Sequence, residues 1–249
     1  MKLQTLCFEG DYALEKREKE KSNYCYVNLY AVTFGIAQFI LTELQPIDLD
    51  GCGKLTICAN VEPQNETYEP GYHTSPELGV SWYNLDLETS RKLYEFYTSG
   101  KIFSWELGDE FVNYVSNLVL DILVEIDRVQ GGKNSLAERR NDILERMREC
   151  GYEKEILLER YSKLRRDRKY RAKVYRCIGH GTGDAIRVDL VRCATDEVVV
   201  SKWLHDELPN TGDMAGAVTK TAWDGNAFHV TFYRSEPSWI ETVELPENE

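Results

Sequence analysis

The sequence contains no long hydrophobic run and no paired cysteine motif. It has no stretch of about 18 apolar residues, so no segment is expected to span a bilayer. The first residues turn acidic at Glu9 and Asp11 and lack the apolar core of a secretory signal. The seven cysteines are odd in number and have no CxxC spacing, which argues against a zinc site and a complete disulfide framework. We therefore expect a cytoplasmic protein with reduced thiols and with neither a metal nor a cofactor.

Basic residues are scarce outside one stretch of the chain. Residues 131–176 contain 15 Lys and Arg against 8 Asp and Glu, a net charge of +7. Residues 1–130 count 10 against 21 and residues 177–249 count 5 against 13, so both flanks are acidic and the whole chain has a net charge of −12. Such segregation favours oriented encounters with charged partners, although it determines neither a fold nor a reaction.

The N-terminal half alternates between helical and strand periodicities. Apolar residues at helical spacing predict a helix over Asn28–Leu44, and regular alternation predicts a half-buried strand over Lys54–Glu62. A second strand is predicted from Leu78 to Leu85, followed by a short helix with Asp86 as its N-cap. Glu106–Gln130 has apolar side chains on most of its helical surface, which predicts a central core helix.

The basic stretch predicts a helical hairpin. Ser135, with Glu138 three positions later, forms a capping-box pattern at the start of a helix that runs to Cys150. A second helix is predicted from Glu153 to about Lys169, with a thin apolar stripe that must pack on a neighbouring element. From Ala172 onward, short alternating segments predict strands.

As a whole, the sequence predicts an α+β protein in three parts. These are a mixed α/β domain with a long core helix over residues 1–132, a basic helical hairpin or linker over 133–170, and an antiparallel β-rich domain over 171–249. In the last part, Asp224-Gly225-Asn226 is predicted to form the turn of a β-hairpin.

Several segments resemble ligand sites, but their local pattern favours a structural role. Gly179–Asp184 resembles a phosphate-binding loop, yet it leads from one predicted strand into another and not into a helix, so we interpret it as a hairpin. Asp48–Gly53 begins like a calcium loop, but Ala59 stands where a bidentate Glu is required, so a turn is predicted. The candidate nucleophiles, none of which the sequence pairs with a base, are Cys7, Cys25, Cys58 and Cys193.

The C-terminal part holds the candidates for catalysis. His205 and Asp206 are adjacent, and His180 and His229 belong to the same predicted part. Neighbouring strand residues point to opposite faces, so we do not expect them to converge on one metal ion, and a polar turn before Pro209 explains them equally well. A hydrolase that uses His180, His205 or Asp206 is the enzymatic alternative.

A cluster of seven cations forms the strongest local signal, namely Lys163, Arg165, Arg166, Arg168, Lys169, Arg171 and Lys173. Its central four, Arg165, Arg166, Arg168 and Lys169, are the candidate binding residues. Such a cluster could bind the phosphates of a nucleic acid. Alternatively, it could pair internally with acidic side chains of the same chain or form a solvated helix face. Because a net charge of −12 repels a polyanion at long range, we favour this second interpretation.

The acidic excess, the 15 Tyr and the 5 Trp favour an interaction protein over an enzyme. Acidic surfaces suit a basic partner, because opposite charge raises the association rate and the selectivity. Nucleases and other nucleic-acid-binding proteins are basic, so by analogy of charge we expect an inhibitor, immunity or anti-defence protein that binds such a protein. The alternatives are the hydrolase with a site in the β-rich part and a nucleic-acid-binding module that uses the basic hairpin.

Overall fold

A computed structural model describes residues 2–11, 29–62, 68–98, 108–179, 184–204, 214–233 and 238–246. The chain divides into two units, Met1–Glu153 and Lys154–Glu249. The N-terminal unit mixes helices with a largely parallel sheet, and the C-terminal unit contains antiparallel sheets, which confirms the predicted α+β class. Among the described residues, no helix combines the length and the apolar character needed to cross a membrane.

The N-terminal unit is built around a four-stranded sheet. Its elements in chain order are β1 (Thr5–Gly10), α1 (Leu29–Leu44), β2 (Lys54–Ala59), β3 (Gly71–Ser75), β4 (Val80–Asn84), α2 (Leu87–Thr98), α3 (Asp109–Val129) and α4 (Leu136–Glu149). The strand order is β1-β2-β4-β3, in which β1, β2 and β4 are parallel and β3 is antiparallel to β4. Parallel neighbours need a crossover connection, and α1 lies in the one between β1 and β2.

Helices α1 and α3 supply much of the core of this unit. Helix α1 packs against β1, α3 and α4, so it is buried along nearly its whole length, as the apolar periodicity predicts. The side chain of Gln38 on α1 donates a hydrogen bond to the Leu6 carbonyl of β1 at 3.0 Å. Helix α3 buries Ile122 and Ile126, which confirms a core helix within the predicted range Glu106–Gln130.

Asp127, near the end of α3, caps the start of α4. Its carboxylate accepts hydrogen bonds from the Asn134 amide and side-chain N–H groups, both at 2.9 Å, and from the Leu136 amide at 3.0 Å. Burial opposes ionisation of this carboxyl, but these hydrogen bonds lower its pKa overall. The predicted capping box is therefore wrong. Ser135 adopts a left-handed conformation, with φ of 52°, and its side chain makes no capping hydrogen bond, so a residue of the preceding helix takes that role.

The C-terminal unit is a sandwich of two antiparallel sheets. Its elements are β5 (Lys154–Leu157), β6 (Lys163–Leu164), β7 (Tyr170–Ile178), β8 (Asp184–Arg192), β9 (Glu197–Leu204), α5 (Met214–Ala217), β10 (Val218–Asp224), β11 (Ala227–Phe232) and β12 (Trp239–Glu244). One sheet has the order β5-β7-β8-β9, with β6 also paired to β7, and the other has the order β10-β11-β12. Alternate side chains of both sheets, including Val188 and Phe228, form one buried core.

The second helix predicted for the basic stretch, over Glu153–Lys169, is wrong. Strands β5 and β6 form there instead, and both pair with β7. Of the residues that suggested a helical stripe, Tyr161 packs on the sandwich core, Leu157 lies in β5, and Leu164 is exposed. Pairing with β7 outweighs the local helical preference, because tertiary contacts routinely override propensity. The segment 133–170 is thus divided between helix α4, which confirms the first predicted helix, and strands of the C-terminal unit.

The predicted turns agree with the structure wherever it describes them. Gly225-Asn226 connects β10 to β11 as a two-residue hairpin loop. The Asp48 carboxylate accepts a hydrogen bond at 3.1 Å from a backbone amide three residues later, so the segment that resembles a calcium loop is a turn. Strand β7 ends at Ile178 and its antiparallel partner β8 begins at Asp184, so the glycine-rich segment joins two paired strands.

Candidate functional site

The parallel strands of the N-terminal unit end at one edge of their sheet, which we call the carboxyl edge. Strands β1, β2 and β4 end at Gly10, Ala59 and Asn84, so the residues that follow them lie at the same edge. Open α/β sheets commonly bind ligands just outside the carboxyl ends of their strands. The acidic and tyrosine residues at this edge are Glu9, Asp11, Glu62, Tyr68, Glu69, Asp86 and Tyr94.

Hydrogen bonds at the carboxyl edge hold the strand ends together. The buried Asp11 carboxylate accepts from the Val61 amide at 3.3 Å, and the Asp11 amide donates to the Tyr94 hydroxyl at 2.5 Å. The Tyr68 hydroxyl donates to the Leu85 carbonyl. Asp11 and these two tyrosines therefore have structural contacts. The exposed side chains of the edge include its other carboxylates and also Arg91, which donates a hydrogen bond to the Val61 carbonyl at 3.4 Å.

Four carboxylates of the carboxyl edge, Glu9, Glu62, Glu69 and Asp86, are exposed. Hydrogen bonds from the Thr89 amide, at 2.8 Å, and from the Thr89 hydroxyl lower the pKa of Asp86, so this residue caps α2 as predicted. Burial and, to a smaller extent, the nearby Asp86 raise the pKa of Tyr68. At neutral pH the edge therefore presents negative carboxylates beside a protonated phenol.

The predicted catalytic candidates His180, His205 and Asp206 lie outside the described residues. Among the described histidines, His229 Nδ1 is 2.9 Å from a threonine hydroxyl of the neighbouring strand, and His73 Nε2 is 3.0 Å from a backbone carbonyl. Nowhere in the described ranges do three His, Cys, Asp or Glu side chains gather in a way that could hold a metal ion.

Three described cysteine thiols, those of Cys7, Cys58 and Cys177, have the properties of structural residues. Burial raises the pKa of Cys7, of Cys58 to about 11 and of Cys177 to about 12, so these thiols are protonated at neutral pH. A nucleophilic cysteine needs the opposite shift. Cys193 is exposed, and Cys25 lies outside the described residues.

The loop between β6 and β7, residues 165–169, is here called the basic turn. The Arg165 amide donates to the Tyr170 carbonyl at 2.8 Å, and the Arg168 amide donates to the Arg165 carbonyl at 2.9 Å. The Asp167 carboxylate accepts a hydrogen bond from the backbone amide two residues later, at 3.0 Å. These contacts fix the conformation of the turn and thereby the direction of its side chains.

Arg165 fastens the basic turn to the β10–β11 hairpin. Its guanidinium donates to Asp167 at 3.0 and 2.5 Å and to the Asn226 side-chain oxygen at 2.9 Å. It also lies 4.6 Å from the ring centroid of Tyr170 and 6.0 Å from that of Trp223, and its side chain is only 13% exposed. The contact with Arg165 lowers the pKa of Asp167 to about 2. Internal pairing, one of the two structural roles expected for the cluster, is therefore observed for Arg165.

The other three cations of the basic turn, unlike Arg165, face solvent. Arg166, Arg168 and Lys169 are exposed, and the described part of the chain offers none of them a carboxylate within ion-pair distance. Arg168 has a left-handed backbone with φ of 62°, a conformation that a non-glycine residue adopts where the surrounding turn requires it. The basic turn thus holds one internally bonded arginine and three cations that face solvent.

A second polar arrangement, here called the aromatic row, crosses three strands of the same sheet. Tyr175 of β7, Arg187 of β8 and Trp203 of β9 are direct neighbours in register. The Arg187 guanidinium lies 4.9 Å from the Tyr175 ring centroid and 5.5 Å from that of Trp203. It also pairs with Glu155, with one contact at 2.9 Å, and with Asp189 at 3.1 Å. The sequence does not reveal this row, because cross-strand register depends on strand ends that residue propensities do not locate.

The two units carry very different net charges. The N-terminal unit has 26 acidic and 15 basic residues, a net charge of −11. The C-terminal unit has 16 acidic and 15 basic residues, a net charge of −1. Nearly all of the acidic excess therefore belongs to the unit with the carboxyl edge, and the basic turn belongs to a unit that is close to neutral.

Comparison with known proteins adds nothing to these observations. No protein family, no curated protein and no solved structure matches the chain. A function must therefore be inferred from the charges and contacts of the described residues.

Proposed function

We propose that this chain is a non-catalytic interaction protein whose acidic N-terminal unit binds a protein with a basic surface. The observation that carries the proposal is the net charge of −11 in that unit, together with the exposed carboxylates of its carboxyl edge. Nucleases and other nucleic-acid-binding proteins have basic surfaces, because they neutralise phosphates. An inhibitor or immunity protein directed against such a protein is the function that this charge supports best.

The composition of the carboxyl edge supports a protein ligand. Tyrosines are enriched in protein interfaces, since they bury a large area at a small cost in side-chain entropy. Tyr68 is half-buried and held by a hydrogen bond at the edge, so little further ordering of its side chain is needed on binding. The surrounding carboxylates would steer a basic partner and raise its association rate.

The test compares two variants that lose the same charge. The edge variant replaces Glu9, Glu62 and Glu69 with Gln, and it leaves the helix cap Asp86 in place. The wild-type protein and the variant are used as bait in the lysate of the native host, and captured proteins are identified by mass spectrometry. The proposal expects a captured protein with a basic surface, less of it on the edge variant, and weaker capture as salt rises.

The control variant changes three exposed carboxylates of helix α4, through Asp142→Asn, Glu145→Gln and Glu149→Gln. These residues lie in the same unit, so loss of net charge alone would affect both variants equally. Equal capture by the edge variant and the control variant would contradict a specific role for the carboxyl edge. Capture of acidic proteins only would contradict the proposal itself.

A further inference from the structure

The basic turn of the C-terminal unit holds three exposed cations close together, whereas four other cations of this unit face a carboxylate. Those ion pairs are Arg165–Asp167, Lys173–Asp196, Arg187–Asp189 and Arg192–Glu197. Within the described ranges, Arg166, Arg168 and Lys169 have no such partner. Like charges held close together repel one another, and an anion from outside the chain would relieve this repulsion.

The positive charge continues from the basic turn along β7. Tyr170 and Ala172 face the sandwich core, so strand alternation places Arg171 and Lys173 on the outer face of the sheet. Every second residue of a strand recurs at ~6.6 Å. Lys169, just before the strand, Arg171 and Lys173 therefore lie at regular intervals along one line. Lys173 is paired with Asp196 at 3.0 Å, so the cations of this line that have no ion-pair partner among the described residues are Lys169 and Arg171.

The aromatic row lies on the same outer face. Tyr175 is the next outward position of β7 after Lys173, and Trp203 is aligned with it through Arg187. Both rings are partly exposed. Proteins that bind single-stranded nucleic acids combine a line of cations, which follows the phosphates, with aromatic rings on which bases stack. An acidic protein would also account for the cations, so the experiment below includes an acidic peptide as a competitor.

We propose that the basic turn and the adjoining outer face of β7 bind a single-stranded nucleic acid. Its phosphates contact Arg166, Arg168 and Lys169, and its bases reach Tyr175 and Trp203. This site goes beyond the interaction proposed for the carboxyl edge, because it lies in the other unit and takes a partner of opposite charge.

The acidity of the whole chain does not oppose this binding. The C-terminal unit is nearly neutral, with 15 basic and 16 acidic residues. Within this unit, residues 165–173 count six basic residues against one acidic residue. The basic turn and the start of β7 therefore have a local surplus of cations, which favours contact with a phosphate.

The experiment measures binding of a fluorescein-labelled oligothymidylate to the full chain by fluorescence anisotropy over a series of salt concentrations. The turn variant carries Arg166→Gln, Arg168→Gln and Lys169→Gln. Each phosphate contact with a single strand contributes about 0.7 to the slope of log K against log salt, so the variant should lose about two units of slope and about 100-fold in affinity at 0.1 M salt. Because these side chains are exposed, its thermal melt should match that of the wild-type protein.

The control variant carries Lys2→Gln, Lys54→Gln and Arg128→Gln, three exposed cations of the N-terminal unit. It loses the same net charge and should keep the wild-type affinity and slope. An unchanged slope in the turn variant would overturn the proposal, as would a wild-type protein that fails to bind at low salt. Displacement of the oligonucleotide by a polyglutamate peptide at equal charge concentration would also overturn it, in favour of an acidic protein ligand.

The aromatic row provides an independent test with a different signature. Trp203→Leu removes a ring without changing charge, so it should lower the affinity for the oligonucleotide about tenfold at an unchanged salt slope. Wild-type affinity in this variant would overturn the assignment of a nucleic acid, because any polyanion would then fit the cations equally well. These variants lie in the C-terminal unit, so their failure and the failure of the carboxyl-edge proposal can be distinguished.

Discussion

Replacing Asp127 with Ala should destabilise the N-terminal unit strongly. The residue is 3% exposed, and its carboxylate accepts bonds from the Leu136 amide and from two N–H groups of Asn134. Removing a helix cap costs about 0.5–2 kcal/mol. Leaving a buried N–H without an acceptor costs about 1–3 kcal/mol more. We therefore expect a loss of about 3 kcal/mol in the free energy of unfolding.

Two measurements check this magnitude and its location. Urea unfolding followed by circular dichroism gives the free energy, and hydrogen exchange of the Leu136 amide reports on the start of α4. Asp127→Asn is the comparison variant, because it keeps one acceptor oxygen for the two Asn134 N–H groups but places an NH2 donor opposite the Leu136 amide. The Asn variant should therefore lose less stability than the Ala variant, and the Leu136 amide should exchange faster than in the wild-type protein in both variants.

The stabilisation that the Asp127 carboxylate gives to the folded state should depend on pH in a defined direction. The folded-state pKa of Asp127 lies below the unfolded value of about 3.9. A carboxyl with a lowered folded-state pKa stabilises the fold fully above the unfolded value, and this stabilisation disappears as the pH falls through the folded value. The stability gap between the wild-type protein and Asp127→Ala should therefore narrow below about pH 4. An Ala variant as stable as the wild-type protein at neutral pH would refute the capping role.

Further variants test the core and the enzymatic alternative. Ile122→Ala should lower the free energy of unfolding by about 2–5 kcal/mol, because it leaves a cavity where a side chain that is 3% exposed is removed. Leu118→Ala should lower it less, because Leu118 is only half-buried. Equal midpoints of the two variants in thermal melts would contradict this order. Alanine at His180, His205 or Asp206 should leave the capture of a basic partner intact if the protein works by binding. Loss of a measured hydrolase activity by orders of magnitude, at unchanged stability, would instead support the enzymatic alternative.

The sequence predicts best the elements whose pattern is long and local. Helix α3 keeps its apolar face over 21 residues, so its periodicity identifies it without any knowledge of its neighbours. The hairpin at Gly225-Asn226 is equally local, because the turn residues and the alternation on both sides lie within one short segment. Asp86 follows the same rule, since the helix that it caps begins at the next residue.

The predictions that are wrong concern interactions whose second partner is distant in the sequence or is not the expected residue. Residues 154–164 have enough helical spacing to suggest a helix, but the backbone partners that make them strands lie in β7, and no local pattern reveals that pairing. The capping box predicted at the start of α4 is wrong for a related reason. Ser135 has the composition of a cap, but Asp127 of the preceding helix is already positioned to accept the free amides.

The charges of this chain indicate a partner only when they are counted for each unit and when the side chains that are already ion-paired are known. From the net charge of −12, internal pairing or a solvated helix face was expected for the basic cluster, because a polyanion would be repelled. The structure separates this cluster into Arg165, which is bonded on several sides, and Arg166, Arg168 and Lys169, which face solvent. Almost all of the excess negative charge lies in the other unit. Net charge and local charge therefore predict different partners. At physiological salt, the interaction between exposed charges is largely screened beyond about 8 Å. We therefore expect the charges close to each surface to determine its partner.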